Sequence, residues 1–324
     1  MRRFIIKRII ISLFMLLLLS VFVYSIIRLM PGDYVKNSIA GNTRISQEMK
    51  NSLMASYGLN DNFASGFIKW ISSAVMGKLG ISLLYREPVI NVIGSRVLIT
   101  LFISGAALIL EISVSIFLGM TAAVNKFKRF DRIISFFSVA SISLPGFFFA
   151  VILQRFFAVK IPLFPISGMV SVRGSHTGLY LLLDILWHMF LPVVVLVVTG
   201  IGAYTKFIRT NTLNILNSDY VLAARAKGLS NRQVMRNHVF PNTLVPLISI
   251  ISTNIPFLFT RTLIVEQIFS INGLGHMAFS ALKMSDTPLI MGFTIIISAV
   301  TIFSVLLCDI IYTIVDPRIR IGKG

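Results

Sequence analysis

Twelve carboxylates and four histidines are the side chains of this chain suited to acid–base or metal chemistry, and their spacing supports neither. His176, His188, His238 and His276 form no HExxH or related metal set. Cys308 stands alone, which excludes a disulfide within the chain and any CxxC zinc pattern. Asp184 and His188 are one helical turn apart and can pair with each other. No Ser/His/Asp or Cys/His spacing signals hydrolysis. Gly77-Lys78-Leu79 lacks the preceding glycine and the following Ser or Thr of a phosphate-binding loop, so the chain has no visible means of hydrolysing ATP. Two acids remain in apolar surroundings, Glu111 and Asp309. A charge deep in a bilayer costs at least about 2.5 kcal/mol, so Glu111 must face a bundle interior or carry a proton. A place on a translocation path and a buried partner both fit it. Asp309 fits pairing with a basic loop residue. Thr253 and Asn254, polar in another apolar run, fit a path lining or hydrogen bonds between helices.

The elements that position these residues are long and apolar. The chain of 324 residues is 56% hydrophobic and 13% charged, against roughly 25% charged in a soluble domain. About 20 apolar residues span a bilayer as a helix, because lipid offers the backbone no partners. Six spans are expected, near 9–29, 97–124, 133–157, 185–208, 242–265 and 288–315. Pro145-Gly146, Pro192, Pro246 and Pro256 interrupt spans three to five and can kink them. Arg2, Arg3, Lys7 and Arg8 precede the first apolar run as in a signal peptide, but no small-x-small cleavage site follows, and a retained anchor is expected.

The net charge of +18 is unevenly placed. Seventeen Lys and Arg lie in the amino terminus, 125–132, 206–238 and the tail from Arg318, against five (Arg155, Lys160, Arg173, Arg261 and Lys283) in the short segments of the other side. Lys and Arg gather on the cytoplasmic side of short loops, so both termini are expected there. The basic excess is then a topology signal, and nucleic-acid binding is not expected.

Segment 31–94 is the one sizeable non-membrane region and is expected outside. Ser46 can cap a helix through Tyr57, ended by Gly58. Asp61 or Asn62 can start a second, with Phe63, Phe67, Trp70 and Ile71 on one side until Gly77. Pro88 suits the first turn of a short third. These stripes suit packing against the membrane or the bundle, or an outward docking surface for a delivery protein.

On the other side, 217–241 reads as two short helices. Asp219 and Gly228 bracket the first, with Ala223, Ala224 and Ala226 favouring helix and Arg225 and Lys227 carrying its charge. Ser230 and Gln233 form a capping box for the second, Leu229 and Val234 a hydrophobic staple, and Arg232 lies between them. Pro241 follows at the entrance to the next span. The result is a compact helical knob in which small alanines permit close approach by a partner.

The stretch "AARAKGLS" (223–230), followed at a fixed distance by Pro241, resembles the EAA loop of bacterial ABC importer permeases, with Ala223, Ala224, Gly228 and Pro241 matching and Leu222 in place of the glutamate. "PGDYV" (31–35), "GKLGIS" (77–82), "REPV" with Arg96, "SLPGFFFA", "FIRTNTL", "EQIFSINGLG" and the terminal "DPRIR" occur in the order found in the B-type permease subunits of dipeptide, oligopeptide and nickel importers. Lys78 and Asn272 depart from the family's usual Asp and Pro.

The resemblance implies an all-α integral membrane protein, a type I ABC importer permease-like bundle of six transmembrane helices with an extracellular helical insertion. It implies a second permease subunit, two cytoplasmic ATPases and an extracellular solute-binding protein as partners. ATP and Mg would be bound by the ATPases, with no cofactor or metal on this chain. Asp219, Ala223, Ala224, Arg225, Lys227, Gly228, Arg232 and Pro241 would couple to the ATPase. Glu111, Thr253 and Asn254 are candidates for the path. The coupling knobs would move rigidly as the ATPases close, driven by their differential affinity for two bundle states. The cargo implied is small peptides. Nickel or a metal chelate is the alternative on the same machine. An ion-driven secondary transporter with Glu111 as proton site lacks the internal repeat many such folds show. A membrane scaffold that moves nothing is the third class.

Overall fold

A computed structural model describes residues 2–29, 61–171 and 177–315, with the isolated positions 48 and 51. The expected helix from Ser46 to Tyr57, "PGDYV", the tail from Arg318 and "DPRIR" lie outside the described residues, apart from those two positions. Among the described residues the main helices are α1 Arg2–Leu29, α2 Phe63–Val75, α3 Val89–Val124, α4 Arg129–Ser143, α5 Gly146–Gln154, α6 Gly178–Leu216, α7 Asp219–Ala226, α8 Asn231–Ile268, α9 Leu274–Lys283 and α10 Thr287–Val315. Five (α1, α3, α6, α8 and α10) are long and apolar enough to cross a membrane, and a sixth span is reached when α4 and α5 are counted as one.

That third span is not the straight helix expected over 133–157. Leu144 is extended (ψ 117°), as the residue before a proline prefers, so α4 stops at Ser143 and α5 restarts from Pro145 at an angle of 99°. A single π-turn, Arg155–Lys160, follows α5. One further expectation is corrected. Pro88 does not open a short separate helix; the turn it starts runs straight into span two, so α3 begins at Val89. A short helix also begins at the end of "EQIFSINGLG". Leu274, Met277 and Ala281, spaced for one buried helical face, form α9.

The chain divides into two units. The first comprises 101–271 and the segment from Leu307. Its central element is α6, which packs on α4, α5 and α8. Leu108, Ile112, Ile116 and Met120, one row of α3 at every fourth residue, meet Tyr204, Ile208 and Leu247. Gly202 lets α6 press against the α4 backbone at Ser138. There the Ser141 hydroxyl donates to the Val198 carbonyl (2.5 Å) and accepts from the Gly202 N–H (3.2 Å), touching both ends of one turn of its neighbour. Asp184 accepts from the Ser171 N–H (2.6 Å) and hydroxyl (2.8 Å), while the His188 ring donates to the Asp184 carbonyl (2.8 Å). Asp184, braced by His188, therefore ties Ser171 to α6.

The second unit comprises 2–100 and 272–306. Trp70 of α2 stacks on Tyr24 of α1, with Leu83 and Met291 completing the buried cluster and Phe67 and Ile71 packed against it. Asn62 caps α2, donor and acceptor 2.7 Å apart. Asp286, fully buried, accepts from the Leu289 N–H at the start of α10, from the Leu84 N–H and from the Ser82 hydroxyl (2.5 Å). Ser82 of "GKLGIS" is thus an anchor for the segment 79–88. Arg96 donates to the Asn272 side chain (3.2 Å) and lies over the Tyr85 ring.

Candidate functional site

The basic stretch between α6 and the following span folds into a helical protrusion packed on its own small core. α7 ends at Ala226 with Lys227 as its C-cap, and Gly228 (φ +82°) takes the left-handed turn that lets the chain reverse. The Gly228 N–H donates to the Arg225 carbonyl (2.9 Å) and the Leu229 N–H to the Ala224 carbonyl (3.3 Å), the paired bonds of a Schellman ending. Ser230 and Gln233 then form a reciprocal capping box. Beneath these turns Val221, Ala224, Val234 and Val239 are buried together, with Leu229 and Met235 packed against them.

This core sorts the candidate coupling residues. Asp219, Ala223, Arg225, Lys227, Gly228 and Arg232 are exposed. Ala224 is buried, so it packs the protrusion and offers no surface to a partner. Tyr220 and Leu222, 46% and 51% exposed, add two large apolar side chains that charge-based reading passed over. Pro241 lies elsewhere. The second helix is not a free short element; it is the first turn of α8, joined through a π-turn, Met235–Val239, to the body Phe240–Ile268. The widened turn ends two residues before Pro241, whose ring would crowd the carbonyl four residues back in a regular helix.

Deeper in the same unit, Glu111 of α3 is fully buried and pairs with Arg261 of α8, nitrogen to oxygen 3.2 Å. Gly200 of α6 makes room for it: an added Cβ would fall on the Glu111 carboxylate. Arg261, tallied with the short outer segments although it falls near the end of the expected span 242–265, lies inside α8, which continues to Ile268. A basic residue continuing an apolar run opposite a buried acid was the available signal. Tyr204, Thr205 and Ser252 add buried hydroxyls without a hydrogen bond in the same unit. Thr253 and Asn254 do not join this group; both donate back to their own helix, at the Ser249 and Ile250 carbonyls. Thr253 is exposed and Asn254 half-buried.

Arg209 grips Asp131 with two nitrogens (2.6 and 2.8 Å), joining α6 to the start of α4. Among the described residues, no three His, Cys, Asp or Glu side chains gather as metal ligands.

Comparisons with known proteins agree with this architecture. Residues 115–321 match the family described as binding-protein-dependent transport system inner membrane component, and residues 1–104 match the N-terminal region described for such membrane components. The oligopeptide transport system permease protein AppB of Bacillus subtilis is 32% identical, over 99% of this chain and 100% of its own length. The dipeptide transport system permease protein DppB of Escherichia coli K12 is 30% identical, over 94% of this chain and 95% of its own. A putative peptide permease of Brucella suis is 31% identical over 99% of this chain and 100% of its own length. A solved inward-facing structure of the MetNI methionine ABC transporter shares the fold, with a TM-score of 0.53 at 16% identity, over 69% of this chain and 96% of that one. With both ends of the sequence matched and a membrane bundle of the same fold, the chain belongs to the inner-membrane components of binding-protein-dependent transport systems.

Proposed function

We propose that this chain is a pore-forming permease subunit of an ATP-driven importer of di- and oligopeptides. The observation that carries the reading is the α7 protrusion, a capped, internally packed element with Tyr220, Leu222 and Ala223 exposed beside Arg225 and Lys227. A segment with its own small core transmits force without deforming, and its mixed apolar and basic surface suits a groove on a soluble partner. The partner would be one of two ATPases, each loaded with ATP and Mg, while a second permease subunit completes the bundle and an extracellular solute-binding protein delivers cargo. The excess of basic residues supports cytoplasmic termini and a cytoplasmic α7. Moving Arg261 into α8 strengthens that asymmetry, to 17 against 4. The names of the matched relatives support peptides as cargo.

The test is uptake of a labelled dipeptide into proteoliposomes holding the assembled complex. Accumulation that needs the binding protein and ATP is expected. Uptake that needs only a proton gradient, or ATP-driven accumulation of nickel without peptide, would refute the reading. Crosslinks from Tyr220 and Leu222 in the intact assembly should reach an ATPase; crosslinks from these positions that never do so would remove the coupling role.

A further inference from the structure

The start of α4 carries a groove that the transport reading leaves unused. Arg132, Ser135, Phe136 and Val139 form one face of α4, with Phe127 and Arg209 completing the walls. The spacing i, i+3, i+4, i+7 aligns them along the helix, so the groove descends about 10 Å from Arg132 to Val139. Exposed Arg132 lines its upper end, and the one acid there, Asp131, is already held by Arg209. Lys128, the N-cap one helical turn before Arg132, and its sequence neighbours Lys126 and Arg129 are exposed too, so the start of α4 is basic. Its floor is apolar, with Phe136 68% and Val139 53% exposed.

The rim is also held in an unusual backbone state. Phe127 has φ +66°, rare for a bulky side chain, and its N–H donates to Asp131 (2.8 Å). The Asp131–Arg209 pair thereby fixes a 76%-exposed aromatic ring beside the basic mouth.

We infer that this groove binds an anionic glycerophospholipid, its phosphate at Lys128 and Arg132 and the upper part of one acyl chain along Phe136 and Val139. Charge complementarity at the mouth selects the headgroup, and an apolar floor running into the membrane selects a lipid over a soluble anion. The inference needs only that the groove open at a membrane surface, so it stands apart from the identity of the cargo.

Native mass spectrometry of the purified full-length chain tests it, from micelles holding equal phosphatidylglycerol and phosphatidylcholine. The wild type should retain phosphatidylglycerol preferentially. Arg132→Gln should lower that retention about fivefold, the effect of one basic residue near an anionic lipid, with phosphatidylcholine retention unchanged. Lys128→Gln gives the same readout should Arg132→Gln fail to purify, and unchanged melting in phosphatidylcholine alone establishes that each variant is folded. Equal retention of the two lipids by the wild type would overturn the inference. So would wild-type retention of phosphatidylglycerol by the folded variants, or a photo-crosslinker at Val139 that captures a polypeptide in membranes and no lipid.

Discussion

Replacing Arg261 by Met, and Glu111 by Gln, singly and together, measures what the buried pair contributes. At 3.2 Å the two charges attract by about 5 kcal/mol at an effective dielectric near 20, and the loss of hydration offsets much of that. The cost of removing one partner therefore depends on what is stranded. Arg261→Met leaves a carboxylate with no exposure and should cost about 3 kcal/mol. Glu111→Gln leaves a guanidinium that is 25% exposed and retains its bond to the Leu196 carbonyl, and should cost about 2 kcal/mol. The double variant should lose about 2 kcal/mol where additivity requires about 5, a coupling of about 3 kcal/mol. Gly200→Ala should resemble a broken pair, since its methyl lands on the Glu111 carboxylate. Unfolding of the full chain in mixed micelles, titrated with a denaturing detergent and followed by circular dichroism, reads these values. Losses that simply add, within about 0.5 kcal/mol, would refute the view that the two residues act as one unit.

Gly228→Ala should cost only about 1 kcal/mol, for left-handed strain, because nothing lies near the added carbon. Gly228→Pro cannot adopt φ +82° and loses the N–H to Arg225, so the complex should hydrolyse ATP while peptide uptake falls to background. Asp286→Ala removes the cap of α10 and the grip on Ser82 and Leu84, and thermal melting should register a loss of about 2–3 kcal/mol; Ser82→Ala should cost about 1. Arg209→Lys keeps the charge but loses the two-pronged geometry, and should cost about 1 kcal/mol in the same melt.

The local chemistry of the protrusion was legible in the sequence because it is written in neighbours. Ser230 with Gln233, Leu229 with Val234, and Gly228 after Lys227 each specify a turn within a few positions. The helices over the apolar runs were legible for a similar reason, since a bilayer leaves the backbone few alternatives. Long-range partners were not. Nothing local links Glu111 to Arg261, Asp131 to Arg209 or Ser82 to Asp286, pairs that are made only when distant segments meet. Composition also misassigned details: Arg261, tallied with the outer segments, lies inside α8, and Pro145 turned one expected span into two elements. Ala224 was misread in a third way, because helix propensity is blind to which face is buried.

A ring closed by an i→i+5 bond contains one residue more than its α-helical counterpart, so the Met235–Val239 turn stores a surplus position inside α8. Deleting one residue there, with Pro241→Ala alongside, should be absorbed by reversion to ordinary pitch, leaving everything downstream in phase. The same deletion further along would swing the exposed row Thr253, Phe257, Thr260 and Ile264 by about 100°. Single-residue differences in length between related chains should accordingly collect at this one turn, which works as a spacer that buffers the bundle against insertions arriving from the protrusion.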